Sequence, residues 1–238
     1  MFNRPVVLGK RSKEEGEKPF WISFADLMSA LMVLFLLVMS VALLAVTKNV
    51  TEAERNKAQR EQEIDKLLDQ VELAAKSYPG ISVDRDRNVI DFGDRAHFDT
   101  GSSKLSNQQA EYLSSFVGRI LGIAREKLGE KWVKQIVVEG FADQRGDYLL
   151  NLNLSLQRSQ RVLCVLLAPQ PGQQQQLSPD ELEEVRQLFL VGGYSFNSAK
   201  QTLEESRRIE LRLEFYGLDE PHLKTSNIPP GNFGMCRI

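Results

Sequence analysis

The chain has 238 residues, a net charge of −2, 42% hydrophobic and 26% charged residues. Lys and Arg are interspersed with Asp and Glu rather than gathered into a stripe, so nucleic acid is excluded as a partner. Two histidines and two cysteines, at no metal-ligand spacing, offer no metal cluster, and no cofactor is expected.

Residues 21 to 46, WISFADLMSALMVLFLLVMSVALLAV, form the one strongly apolar run. From Ile22 it is about 25 residues long, enough to cross a bilayer core of about 30 Å with some tilt. A cleaved signal peptide would have a shorter apolar core of about 7 to 15 residues and a small-x-small cleavage site. The chain therefore reads as single-pass and uncleaved. Arg4, Lys10, Arg11, Lys13 and Lys18 precede the run, and Lys48 is the only cation after it until Arg55. The positive-inside bias puts residues 1–20 in the cytoplasm as a tail and the remainder outside.

Asp26 is the single carboxylate in this run. An ionised Asp at the centre of a membrane helix costs on the order of 2.5 to 3.5 kcal/mol, so it needs a proton, a partner or a protected face. On a helical projection Ser23, Ser29, Ala30, Val33, Leu37 and Ser40 lie within about 60° of Asp26. Every Ser of the run shares that face. Two readings stand: Asp26 snorkels to the cytoplasmic interface, or it is a protonatable site on an ion path. Asp is short and snorkels poorly, which favours the second.

Residues 47–80 read as a helical linker, polar at first and then striped by Ile64, Leu67, Leu68, Val71 and Ala75, ending at Tyr78-Pro79-Gly80. The stripe suits either a short dimer seam or a face packed on the next domain. Beyond it, ISV and NVIDF are strand candidates, and Leu105 to about Glu130 has one helical periodicity. KQIVVEGF is the clearest strand, followed by Asp143-Gln144-Arg145-Gly146 and a helix over Tyr148 to Leu167. The apolar positions of that helix include Leu149, Leu152, Leu156, Val162, Cys164 and Val165, which puts Cys164 in the core. PQPGQQQQLSP is a Pro- and Gln-rich insertion, with a short helix at Glu181 to Leu188. LFLVGG and RIELRLEFYG close the domain as strands. The fold class is α+β: one N-terminal transmembrane helix, a helical stalk and a C-terminal α/β sandwich of β-α-β-α-β order, then a tail over residues 218–238. A bond between Cys164 and Cys236 is allowed by an outside location, and geometry decides it.

FADQRGDYLLNLNLSLQRSQRV followed by SRRIELRLEF resembles the peptidoglycan-binding domain shared by outer-membrane protein A, the Pal lipoprotein and the flagellar stator B subunit. Asp143, Gly146, Asn151, Leu154, Ser155 and Arg158 fall on the family motif T-D-x-x-G, Y-N-x-x-L-S-x-x-R-A without a gap. Arg207, Arg208 and Glu210 fall on its distal part. The resemblance covers residues 81–217, so this domain is OmpA-like. It implies that Asp143, Leu150, Asn151, Leu154, Arg158 and Arg208 bind peptidoglycan. Asp143 would meet the ammonium and Arg158 the carboxylate of the diaminopimelate-bearing stem peptide. The alternative is an internal Asp143–Arg158 salt bridge tying strand to helix. Ala142, Leu150 and Ser159 depart from the motif, and the first two remove polar or stacking contact near the ligand.

The amino-terminal W-I-S-F-A-D-L-M and the span after it are similar to the flagellar stator B subunit, whose membrane Asp carries the driving ion. PFWISFADLMSALMVLFLLVM, the short connector, SLQRSQRVLC and the Cys-bearing tail are closer to the stator-like B subunits of the Zorya anti-phage defence system. That resemblance implies a bacterial inner-membrane protein with a periplasmic domain, a self-dimer inside five MotA-like A subunits, and a translocated proton. Flagellar service, or passive wall anchoring without ion transport, uses the same parts. An enzyme is not expected, since no nucleophile-base-orienter set is present and His97 falls in a loop.

Overall fold

The apolar run, a polar stretch rich in Glu, Lys, Gln and Arg, and the Leu/Val stripe contain no Pro or Gly, so nothing interrupts a helix. In the computed structural model, which describes residues 18–168, 177–222, 233–234 and 236, all three belong to one helix, α1, Lys18–Ala75. The chain divides into two units, Met1–Lys57 and Ala58–Ile238. In the first, Trp21 to Val46 expose their apolar side chains all round, as a lipid-facing segment would. Ser40 Oγ donates to Leu36 O at 2.7 Å and Thr47 Oγ1 to Leu43 O at 2.8 Å, so these hydroxyls are satisfied within the helix.

The second unit begins with the end of α1. Leu67, Leu68, Val71, Ala74 and Ala75 are buried in its core, so the stripe is a packing face. Burying each of the larger three contributes about 1.5 to 3 kcal/mol. Glu63 fastens the same segment: it accepts from Lys131 Nζ at 2.5 Å and from Trp132 Nε1 at 2.7 Å. Those bonds, Lys131 first, hold the Glu63 carboxyl down at about 2.

After the turn at Tyr78-Pro79-Gly80 come β1 (Ser82–Asp84), β2 (Val89–Asp91), α2 (Asn107–Ala124), α3 (Lys127–Trp132), β3 (Val133–Gly140), α4 (Tyr148–Leu167), α5 (Pro179–Leu188), β4 (Phe189–Gly193), α6 (Leu203–Ser206) and β5 (Ile209–Phe215). The single helix expected from Leu105 to Glu130 is two. Gly129 sits so close to the end of α2 that a Cβ there would lie 2.3 Å from Ile123 O, and the chain turns at Arg125-Glu126 to allow it. Capping boxes start α2 at Ser106/Gln109 and α5 at Ser178/Glu181. The latter explains why α5 begins ahead of Glu181. Of the Pro- and Gln-rich insertion, residues 169–176 lie outside the described part.

The sheet order is β1-β2-β5-β3-β4, with β3 and β4 parallel and the other pairs antiparallel. One face, carrying Ile90, Ile136, Val138, Ile209, Leu211 and Leu213, packs with Leu113, Phe116, Val117, Ile120, Val162 and Leu166 of the helices. Glu139 and Glu210 belong to the alternate positions. Both are buried and both are paired, Glu139 with Arg212 at 2.6 Å and Glu210 with Arg208 at 2.8 Å. The pairing satisfies charges that would otherwise be costly there.

Two glycine strand ends decide how α4 sits. A Cβ on Gly140 would lie 1.9 Å from Ser155 O, and one on Gly193 would lie 2.8 Å from Leu156 N. The helix therefore rests on bare backbone, and the residues it buries before Val162 are Asn151, Ser155, Arg158 and Ser159. Leu149, expected inside, is 73% exposed. Cys164 is half-buried and bonded to Cys236, with their Cα atoms 5.3 Å apart.

Candidate functional site

Asp26 lies on the exposed surface of α1. Its backbone carbonyl accepts from Ser29 Oγ at 2.9 Å, which fixes one hydroxyl of the serine face beside it. Back-bonded hydroxyls add polarity to one stripe while leaving no unsatisfied donor, as a segment in apolar surroundings requires.

The second candidate site is built where β3 ends. Phe141 N donates to Arg208 O at 3.1 Å and Ala142 N to Ser195 O at 2.8 Å, so the chain is still held like a strand when it reaches Asp143. Gly146, at φ +92°, then turns it into α4. Asn151 Nδ2 donates to Arg145 O at 2.8 Å and pins that turn.

Asp143 is only 6% exposed. Its Oδ1 accepts from Arg145 N at 3.0 Å and Arg145 Nε at 3.2 Å, and its Oδ2 from Arg145 Nη2 at 2.6 Å and Arg207 Nη1 at 3.3 Å. Arg145, with a smaller contribution from Arg207, holds its carboxyl down at about 2 against the opposing effect of burial. Arg158 is fully buried, at 0% exposure. It donates from Nε to Ser102 O at 2.9 Å, from Nη1 to Phe141 O at 2.7 Å and from Nη2 to Asp99 O at 3.1 Å, with its guanidinium 5.0 Å from the centre of the Phe98 ring. Burial brings its pKa down to about 10, so it remains a cation at neutral pH.

Asp143 and Arg158 are thus neighbours in one site without a direct bond between them among the described residues. The tie from helix to strand runs from Arg158 to the carbonyl of Phe141, not to the carboxylate. Asn151 is buried at the turn, Leu154 is half-buried, and Leu150 stands out from the first turn of α4 at 62% exposure. Arg208 goes elsewhere: it bonds Glu210 and Ser198 O and lies 4.1 Å from the Phe141 ring centre. Its neighbour Arg207 is the arginine that reaches Asp143. Consecutive residues entering a strand point opposite ways, so only one of an Arg-Arg pair can face the site. Arg145 is a residue that motif matching passes over, because it fills a variable position of T-D-x-x-G; its signal was a cation two residues from Asp143. A cavity of about 900 Å³ lies against Asp91, Arg95, Lys200 and Glu205, residues with no part in the Asp143 site.

A membrane helix with one carboxylate, joined in the same chain to an α/β domain, is the plan of a stator B subunit, and residues 9–52 match the family model described as membrane MotB of the proton-channel complex MotA/MotB. Over its full length the chain is 42% identical to the Zorya protein ZorB of Escherichia coli O139:H28 (strain E24377A / ETEC), covering 98% of that protein. The chain belongs to the ZorB family. Among solved structures, the OmpA-like domain of FopA1 from Francisella tularensis subsp. tularensis SCHU S4 is similar over 58% of this chain and 82% of that one, at 15% identity and a TM-score of 0.34. The cell wall anchor of the T6SS from Pseudomonas aeruginosa is similar over 61% of this chain and 95% of that one, at 18% identity and a TM-score of 0.39.

Proposed function

We propose that this chain is the ion-translocating, wall-anchored subunit of an inner-membrane motor that serves anti-phage defence. The observation that carries the proposal is Asp26, the single carboxylate of the apolar run, on the face that also holds Ser23, Ser29 and Ser40 and inside the stretch matched by the MotB family model. A carboxyl there is neutral when it faces lipid or apolar protein and ionised when it faces water or a partner cation, so each passage of an ion is coupled to a change of surroundings. The ion is a proton, and the partners are a second copy of this chain and five MotA-like A subunits around the pair. The amino terminus is cytoplasmic and the C-terminal domain periplasmic, where Asp143 and Arg158, with Asn151, Leu150 and Leu154 around them, hold a diaminopimelate-bearing stem peptide. Two opposite charges at fixed positions suit that ligand's ammonium and carboxylate.

Asp26→Asn tests the motor half. The variant keeps the shape and loses the titration, so phage protection is abolished while membrane insertion, co-purification with the A subunit and retention on purified sacculi persist. Full protection by Asp26→Asn would leave only a passive anchor.

A further inference from the structure

The Asp143 carboxylate already has a guanidinium in the place where a ligand ammonium would dock. Arg145 Nη2 lies 2.6 Å from Asp143 Oδ2 and, with the same nitrogen, 3.0 Å from Thr100 Oγ1. Thr100 sits between Asp99 and Ser102, whose carbonyls take two of the three bonds from Arg158. One side chain therefore closes both poles of the site: it occupies the anionic pole directly and, through Thr100, holds the segment that covers the cationic one. Arg145 is 51% exposed while Arg158 is wholly buried, so Arg145 is the member of the set that solvent and ligand reach.

We propose that Arg145 is the specificity-determining residue of this site, an internal cation that a ligand must displace and that admits only ligands carrying an ammonium and a carboxylate together. An amine alone gains Asp143 but leaves the Arg145 guanidinium without its anion. A zwitterion replaces both partners: its ammonium takes the carboxylate of Asp143, and its carboxylate receives the freed guanidinium of Arg145, or that of Arg158 once Thr100 is released. The exchange leaves every charge paired, and bidentate guanidinium–carboxylate geometry favours it. The inference rests on the wall-binding reading given above and adds the residue that selects the ligand.

The test is displacement of the full chain, in detergent, from purified sacculi by two soluble competitors. These are meso-diaminopimelate, which has both charges at each end, and 1,5-diaminopentane, which has the ammonium groups alone. Wild type is released by diaminopimelate and resists the diamine. In Arg145→Ala, and in Arg145→Gln as a second variant that keeps a hydrogen-bonding group, the diamine releases the protein at a concentration lower than for wild type by up to about fivefold, the upper end of what a surface-accessible ion pair withholds. The selectivity is overturned if the diamine is as weak against both variants as against wild type, or if it releases wild type at the concentration at which diaminopimelate does. Failure of wild type and variants alike to sediment with sacculi would instead remove the wall-binding reading, and the selectivity with it.

Discussion

Asp143 and Glu63 are two carboxylates, far apart in sequence, whose protons are held off by bonds formed only on folding. Both titrate at about 2, Asp143 through Arg145 and Arg207, Glu63 through Lys131, Gln59 and Trp132. A pKa lowered in the folded state stabilises the fold at every pH above the unfolded value near 4, and that contribution is lost as pH falls through the folded value. Denaturant unfolding of the full chain is therefore expected to give a flat stability from pH 7 to about 5 and a decline between about 4 and 2. Asp143→Asn and Glu63→Gln each flatten the decline by about 1 kcal/mol, a figure reduced because Arg145 and Lys131 are half-exposed. An unchanged acid limb in both variants would remove these pairs as stabilising contacts.

At the scale of elements, α4 is decided by glycine rather than by leucine. Gly140 is the point where β3 and α4 meet backbone to backbone, and Gly140→Ala forces a methyl group into the Ser155 carbonyl. Overpacking of that kind costs about 1–3 kcal/mol or more. Loss of that much stability by thermal unfolding, with retention on sacculi reduced alongside it, is expected because Asn151 and Arg158 are carried on the same helix. Ser155→Ala, which leaves the backbone contact alone and removes the bond from Ser195 N at 3.0 Å, is expected to be milder, by about 1 kcal/mol. The sequence made the strand VVEG and the existence of α4 plain, since alternation and length suffice for both. It misled about the start of α4, where Leu149 is exposed, because counting apolar residues assumes a side-chain interface and around Ser155 and Leu156 the interface is backbone; Val162 and Val165, further along, face inward as the periodicity predicts. The pair Gly140 and Gly193, set opposite Ser155 and Ser159, was the available sign. Arg158 was legible as a residue of the site from its motif, but its bonds to three carbonyls were not, since they depend on how the segment 99–102 returns to α4.

For the whole molecule, the membrane segment was the most legible part, because a bilayer asks only for length and apolarity, and α1 supplies both. The linker was legible in composition but not in assignment. Its second half is core of the C-terminal unit, a matter of which surface covers Leu67, Leu68 and Val71, on which local periodicity is silent. The bond between Cys164 and Cys236, 72 residues apart in sequence, acts at this scale too. Closing a loop of that size restricts the unfolded chain by about 4 kcal/mol in the chain-entropy treatment, and removal of native bonds of this type costs about 2–5 kcal/mol. Cys164→Ala with Cys236→Ala is expected to lower the unfolding midpoint by that order, and wild type in reductant to match the double variant. If the oxidised wild type melts with the variant, the bond contributes nothing to the fold.

The same bond has a consequence for damage. β4 and β5 lie between the two cysteines, and β5 is paired on both sides by strands that precede Cys164. A single cut by a protease anywhere from residue 165 to 235 would leave two peptides that remain one covalent molecule, still interleaved in one sheet. On a gel without reductant such a nicked chain runs as intact protein, and only on reduction does it separate. The domain could thus be severed and still hold on.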